Sequence, residues 1–126
     1  MTCRAWQHLK RRQDFLGVAA SGLKRATPGC VVQARPAFTD DVRIGFTASR
    51  KVGIAVARNR AKRRLRAAVD RVLPSLELKG WDFVLIARTD TLSRDFAVMA
   101  DDLTRALAAV TRPGAARKPT WKPGRG

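Results

Sequence analysis

The sequence predicts a single small α+β domain, and three patterns carry that prediction. At 126 residues the chain has room for one compact domain with a core, and too few residues for two comfortable ones. Residues 42–49 alternate between apolar and polar side chains, residues 81–88 form an apolar run of strand length, and residues 96–110 repeat apolar side chains at helical spacing. Hydrophobic residues make up 45% of the chain, so its charges sit on a folded body.

The first predicted element is a short amphipathic helix within residues 9–21. Its apolar side chains recur at a spacing that fits one helical face. They are Leu9, Phe15, Leu16, Val18 and Ala19. Gly22 is the predicted stop, because glycine tolerates the left-handed conformation that is common just past a helix end.

Two strands are predicted next, at residues 29–38 and 42–49. Thr39, Asp40 and Asp41 form a polar segment between them, so we expect a hairpin. Strict alternation in the second strand buries one face of the sheet and leaves the other open to a ligand. The side chains expected on the open face are Gln33, Arg35, Thr47 and Ser49.

A second helix is predicted over residues 59–72, ended by Pro74 because proline cannot continue a helix. Residues 81–88 are predicted to be a central strand that is covered on both faces. A third helix begins near Ser93, a residue type that often caps helix N-termini. Its apolar stripe, which we expect to pack in the core, consists of Phe96, Met99, Leu103, Leu107 and Val110.

The ends of the chain are expected to lie outside the domain. Residues 1–8 are predicted to be an N-terminal extension, residues 9–110 the domain, and residues 111–126 a flexible basic tail with five basic residues and no acid. No stretch approaches the ~20 apolar residues of a spanning helix, and the start lacks the features of a secretory signal. We therefore expect a cytoplasmic protein that does not contact a membrane.

The charge balance points to a polyanionic partner. Lys and Arg total 26 against 10 Asp and Glu, and a net charge of +16 on so small a body is strongly self-repulsive unless nucleic acid neutralises it.

Cys3 and Cys30 lack metal-ligand spacing, so we expect both to be reduced and structural.

The second predicted helix is basic on both sides of an apolar stripe. The stripe consists of Ala61, Leu65, Ala68, Val69 and Val72. One flank carries Arg58, Lys62 and Arg66, the other carries Arg60, Arg64 and Arg71, and Arg63 points away from the core. Nine basic residues and one acid lie between residues 50 and 71, and a bound phosphate backbone would relieve their repulsion. The Asn59 amide either caps this helix or contacts RNA.

The run IGFTASRKVGIAVARNRAKRRLR at residues 44–66 resembles the signature of the bacterial ribonuclease P protein family, in which an Arg-Asn-Arg segment is followed by alternating basic residues. Five upstream residues match the family in order and spacing: Leu9, Asp14, Phe15, Val18 and Gly22. The likeness covers residues 9–110. It implies a small α/β sandwich, with a mixed sheet of about four strands, three helices and a left-handed βαβ crossover that departs from the general right-handed rule.

The resemblance also implies a function. A member of this family is a subunit of ribonuclease P that binds the catalytic RNA and the single-stranded 5′ leader of precursor tRNA. Endonucleolytic hydrolysis of a phosphodiester bond then removes the leader and generates the mature tRNA 5′ end. Catalysis would reside in the RNA and its magnesium ions. The protein, as a monomer with one copy per RNA, would bind and orient the substrate, with no catalytic residue, metal or cofactor of its own.

The resemblance assigns RNA-binding residues to two groups. At a leader cleft between the first helix and the open sheet face it places Phe15, Thr47, Ser49, Arg58, Lys62 and Arg66. Toward the catalytic RNA it places Arg50, Lys51, Asn59, Arg60, Arg63 and Arg64. Family members often carry aromatic residues where this chain has Ala19 and Gln33. Base stacking in the cleft is therefore expected to depend more on Phe15.

Three other classes of protein explain part of the sequence. A noncatalytic ribosomal-type RNA-binding protein or RNA chaperone would account for the charge and the basic helix, but not for the full signature. A helix-turn-helix regulator is disfavoured because the basic helix lies between strands. An autonomous nuclease is disfavoured because His8 is the only histidine and no carboxylate cluster indicates a two-metal site.

Overall fold

The computed structural model describes residues 6–21, 23–37, 40–76 and 78–111, which form one mixed sheet with helices on both faces. The strands are β1 (Gln7–His8), β2 (Leu23–Ala26), β3 (Cys30–Pro36), β4 (Val42–Ala48) and β5 (Trp81–Ala87). The α-helices are α1 (Arg12–Ala20), α2 (Ala55–Leu76) and α3 (Phe96–Val110), and 3₁₀ turns lie at Arg50–Val52 and Thr89–Thr91. Five strands and three α-helices agree with the predicted fold class, with one strand more than the approximate number expected.

The sheet is built around β5, in the order β1-β4-β5-β3-β2. β5 runs parallel to β4 and antiparallel to β3. All of its side chains are buried except that of Ile86, which is half-buried. The prediction of a central strand is therefore confirmed.

The predicted hairpin between β3 and β4 is wrong. Both strands pair with β5, which lies between them, and each does so over seven residue pairs. The physical reason is that β5 carries apolar side chains on both faces, with Asp82 as its one charged residue, and is best buried at the centre, whereas β4 has only one apolar face. The alternation of apolar and polar residues in β4 correctly predicts which of its faces is buried, because Val42 and Ile44 are buried on the side of α2.

The basic helix α2 joins the parallel strands β4 and β5, so it forms the crossover of a βαβ unit. It is longer at both ends than the predicted span of 59–72, and Pro74 lies inside its last turn. A proline there removes only the N–H that would bond to the Asp70 carbonyl, close to an end where carbonyls already lack helical partners. Asn59 is the fifth residue of α2 and therefore cannot be its N-cap.

The third helix begins three residues later than the predicted start at Ser93. Its N-cap is Asp95, whose carboxylate accepts a hydrogen bond from the Val98 N–H at 3.3 Å. The segment before it is bonded to the residue that precedes β3, since the buried Thr91 hydroxyl donates to the Gly29 carbonyl at 2.5 Å. The predicted apolar stripe is confirmed as core packing, although Phe96 is only partly buried.

The N-terminal part of the domain includes residues that precede the predicted start at residue 9. Trp6 is 2% exposed, and its indole N–H donates to the Asp70 carboxylate at 2.8 Å. Gln7 and His8 form β1, which pairs in parallel with β4. Neither β1 nor β2 is long enough to give a sequence pattern. The predicted helix stop at Gly22 and the tail beyond Thr111 lie outside the described residues.

The side chains form two cores of unequal size. The larger core lies between the sheet and the pair α2 and α3. The smaller core lies under α1, where Leu9, Val18 and Val84 are buried and Phe15 and Ile86 pack against them. Across the described ranges, none of the helices combines the length and the apolar character that a membrane span requires.

Cys30 lies in the larger core, and burial raises the pKa of its thiol to about 11, partly offset by a hydrogen bond with Thr27. In a Cys3→Ser variant, we expect iodoacetamide at pH 8 to alkylate the folded protein at least about tenfold more slowly than the urea-unfolded chain, because the thiolate is the reactive form. Mass spectrometry gives both rates. Equal rates would contradict the buried position of this thiol.

Candidate nucleic-acid interface

Phe15 on α1 lies where two concave surfaces meet. The first, which we call the α1 cleft, has a volume of about 420 Å³. It is lined by Lys10, Arg12, Phe15, Leu16, Gln33, Thr47, Val84 and Ile86. The second, which we call the α2 pocket, has a volume of about 350 Å³. It is lined by His8, Leu9, Phe15, Gly45, Phe46, Asn59, Lys62, Arg63 and Arg66.

The floor of the α1 cleft is the open face of the sheet, where Gln33 and Thr47 are half-buried beside Val84. Lys10 and Arg12, at the start of α1, form an exposed basic rim. Such a surface offers apolar and aromatic groups to base faces and cations to phosphates. The predicted open-face positions of Gln33 and Thr47 are confirmed. The exposed Ala19 is not among the residues that line either surface.

Gly45 allows Phe15 to lie directly on β4. A Cβ added at residue 45 would overlap the ring of Phe15. Glycine is therefore required at this position for the close approach of α1 to the sheet. The sequence contains this glycine within the family signature, but only the structure shows what lies against it.

The α2 pocket gathers basic residues from one helical face. Asn59, Lys62, Arg63 and Arg66 have the spacing i, i+3, i+4 and i+7, which places them on one side of a helix. The family resemblance assigns Lys62 and Arg66 to one RNA and Asn59 and Arg63 to another, and all four line this one pocket.

Arg66 is held at the α2 pocket by an aromatic ring. Its guanidinium carbon lies 5.8 Å from the centroid of Phe46, within the range of a cation–π contact. Its Nε atom is buried and has no hydrogen-bond acceptor within the described ranges. A buried donor without an acceptor is unfavourable, so the position of Arg66 at this pocket carries a cost in folding free energy.

Ser49 and Arg58 are not among the residues that line the two surfaces, although both were predicted to lie at the leader cleft. The Ser49 hydroxyl caps the 3₁₀ turn after β4 and accepts from the Lys51 N–H at 3.3 Å. Arg58 donates from Nη1 to the Gly53 carbonyl at 3.2 Å. Both side chains therefore support the segment between β4 and α2.

Four of the residues predicted to face the catalytic RNA are exposed cations, and one of them, Arg63, lines the α2 pocket. Arg50 and Lys51 lie in the 3₁₀ turn before α2, and Arg60 lies on the first half of α2. Their exposure leaves them accessible to a large polyanion.

Arg64, predicted to face the catalytic RNA, instead contacts the segment before α3. Its Nε donates to the Thr91 carbonyl at 3.0 Å and its Nη2 to the Arg94 carbonyl at 2.5 Å. The guanidinium carbon lies 5.7 Å from the centroid of Phe96. The guanidinium group of Arg64 therefore makes its contacts within the domain.

Beneath α1, four charged residues form an ion cluster that no pattern in the sequence predicts. Asp82, in the middle of the sheet, is 1% exposed. The pairing register places it beside Arg35 on β3 and Arg43 on β4. Arg35 Nε lies 3.0 Å from Asp82 Oδ2, and Arg43 Nη2 lies 2.8 Å from the same oxygen. Asp14 on α1 completes the cluster, with its Oδ1 3.3 Å from Arg35 Nη2.

The hydrogen bond from Arg43 to Asp82 raises the pKa of the Arg43 guanidinium, so that this group stays charged. No set of three or more His, Cys, Asp or Glu side chains suitable for holding a metal ion is found in the part of the chain that the structure describes. The residues that line the two surfaces are mainly cations, amides, aromatic rings and aliphatic side chains.

Residues 4–111 match the family model described as Ribonuclease P. The chain belongs to the ribonuclease P protein family. The ribonuclease P protein component of Paramagnetospirillum magneticum is 49% identical over 115 residues, which cover 87% of this chain and 84% of the relative. That of Ruegeria pomeroyi is 50% identical over 109 residues, which cover 83% and 86% of the two chains.

Two solved ribonuclease P proteins share the fold. The protein from Thermotoga maritima aligns with a TM-score of 0.71 and 30% identity, covering 82% of this chain and 96% of that one. The protein from Staphylococcus aureus aligns with a TM-score of 0.69 and 25% identity, covering 82% and 94%. The family match begins before residue 9, in agreement with the burial of Trp6 and the pairing of β1.

Proposed function

We propose that this chain acts as the protein subunit of a ribonuclease P holoenzyme, where it binds the catalytic RNA and the 5′ leader of precursor tRNA. Membership of the ribonuclease P protein family supports the assignment to the holoenzyme. The net charge of +16 supports an RNA partner. The proposed result of the reaction is removal of the leader and a mature tRNA 5′ end.

The single observation that supports leader binding most strongly is the position of Phe15 between the α1 cleft and the α2 pocket. A single strand that crosses Phe15 could stack a base on its ring while its phosphates meet Lys10 and Arg12 on one side and Lys62 and Arg66 on the other. Base stacking on an aromatic ring is tolerant of sequence, which suits leaders that differ between tRNAs.

Contact with the catalytic RNA is proposed for the exposed cations around the start of α2, namely Arg50, Lys51 and Arg60. Asn59 and Arg63 line the α2 pocket together with Lys62 and Arg66, so they would lie where the leader meets the catalytic RNA. One protein monomer per RNA and a cytoplasmic location complete the proposal. The phosphodiester chemistry would belong to the RNA and its magnesium ions, while the protein holds and orients the substrate.

Cleavage of precursor tRNA at low magnesium tests this proposal. The catalytic RNA alone, the protein alone and their mixture are assayed in parallel. We expect faster cleavage in the mixture than with the RNA alone, because bound leader adds affinity that the RNA alone lacks. Cleavage by the protein alone would indicate an autonomous nuclease and overturn the proposal, and so would a mixture no faster than the RNA.

Lys62→Ala is expected to weaken holoenzyme binding of precursor tRNA by about fivefold, the effect of about 1 kcal/mol, with little change for mature tRNA. Only the precursor carries a leader. The log-log salt dependence of precursor binding should also flatten by about 0.7, the value for one contact to a single-stranded phosphate. Arg105→Ala is the matched control, since Arg105 is exposed on α3 and lines neither surface. Equal losses for both RNAs would refute the placement of the leader.

A further inference from the structure

The helix that carries Phe15 has few buried apolar side chains and lacks a side-chain cap at its N-terminus. α1 is nine residues long, and Val18 is its single fully buried side chain. Its N-cap residue, Arg11, makes no side-chain cap hydrogen bond. A helix of this length is unstable alone in water, so its position depends on tertiary contacts.

Asp14 supplies such contacts from the position next to Phe15. Its Oδ1 lies 3.3 Å from Arg35 Nη2, and its Oδ2 lies 3.6 Å from Arg43 Nη1. The two arginines belong to β3 and β4, on either side of β5. One carboxylate on α1 is therefore tied to strands on both sides of the sheet centre.

Gly17 allows the arginine to come this close to the helix. A Cβ added at residue 17 would overlap Nη1 of Arg35. With Gly45 under Phe15 and Gly17 over Arg35, the helix makes two close approaches to the sheet within one turn of Asp14. The glycines therefore allow α1 to lie close to the sheet at Phe15 and at Arg35.

The sheet part of the ion cluster does not depend on Asp14. Asp82 already accepts hydrogen bonds from Arg35 Nε at 3.0 Å and from Arg43 Nε and Nη2 at 2.9 and 2.8 Å. Asp82 therefore orients the two guanidinium groups from below, and Asp14 meets them from above. The side chain of Asp14 is 19% exposed, against 1% for Asp82. Loss of the Asp14 charge would therefore weaken the attachment of α1 at this point and leave the hydrogen bonds of Asp82 in place.

We propose that Asp14 is a positioning residue for leader binding, and that its ion pairs with Arg35 and Arg43 hold Phe15 at the junction of the α1 cleft and the α2 pocket. This inference rests on the proposed function. Asp14 touches no RNA in this role, because it lies between the helix and the sheet. It acts through Phe15, the residue that follows it in the chain.

Asp14→Asn tests the inference, because it removes the charge and keeps the size of the side chain. Asp101→Asn is the matched control, with the same charge change on an exposed residue of α3. Each variant is reconstituted with ribonuclease P RNA, and dissociation constants are measured for precursor and mature tRNA. We expect Asp14→Asn to lower the preference for precursor over mature tRNA by about three- to fivefold, and Asp101→Asn to leave it unchanged.

A double-mutant cycle with Phe15→Ala separates positioning from general stability. If Asp14 acts through Phe15, Asp14→Asn has no further effect on the precursor preference once Phe15 is gone. Equal weakening of both RNAs, or additive effects of the two substitutions, would overturn the inference. A wild-type holoenzyme without any preference for precursor would instead overturn the proposed function itself.

Discussion

Replacement of Asp82 by alanine is expected to lower the free energy of unfolding by about 3–5 kcal/mol. The carboxylate is buried on the central strand and accepts three hydrogen bonds from Arg35 and Arg43. Without it, the two guanidinium groups beneath α1 lose the one carboxylate that is hydrogen-bonded to both strands. Urea denaturation followed by circular dichroism gives the change.

Asp101→Ala provides the comparison for Asp82→Ala. It also removes an aspartate from an ion pair with an arginine, but its side chain is 63% exposed. Exposed pairs of this kind contribute about 0–1 kcal/mol. A loss at Asp82 no larger than the loss at Asp101 would show that the ion cluster does not stabilise the fold.

Gly45→Val is expected to impair both stability and leader binding. The added side chain would occupy the space of the Phe15 ring, so that either the ring or β4 has to move. Overpacking of this kind costs about 1–3 kcal/mol. Displacement of the ring would also remove a base-stacking contact, and we expect about a tenfold loss of precursor preference, since such contacts are worth about 1–3 kcal/mol.

The double variant Phe15→Ala/Gly45→Val distinguishes a steric cause from a general effect of valine on β4. Removing the ring opens the space that the valine needs. We therefore expect Gly45→Val to cost less stability in the Phe15→Ala background than in the wild type, while the precursor preference stays low. A cost that is equal in the two backgrounds would contradict the close approach of Phe15 to β4.

The sequence predicted the individual elements better than their pairing. The periodicity of α2, α3 and β5 depends on residues close together in the chain, and each of these elements is present. The partner of a strand is a long-range choice, and alternation in β4 reports only which face is buried. The neighbouring positions of β3 and β4 in the chain suggested a hairpin, whereas the apolar character of β5 placed it between them.

The candidate site was predictable in part for a similar reason. Helical spacing identified the buried stripe of α2, and the family resemblance identified Phe15 and Thr47. The ion cluster was not predictable, because its members lie on four elements and meet only through the register of three strands. In the sequence, nothing distinguishes Arg64 from the other basic residues of α2. Its hydrogen bonds to the carbonyls of Thr91 and Arg94 depend on where α3 begins.

The position of β5 between β3 and β4 also determines when the sheet can form during synthesis of the chain. A ribosome releases the basic residues of α2 well before the last residue of β5, at position 87. Until then, the two flanking strands have no central partner, and the contacts that close the sheet are distant in sequence. The most strongly charged segment of the chain is therefore exposed to cellular polyanions before the core that supports it has formed.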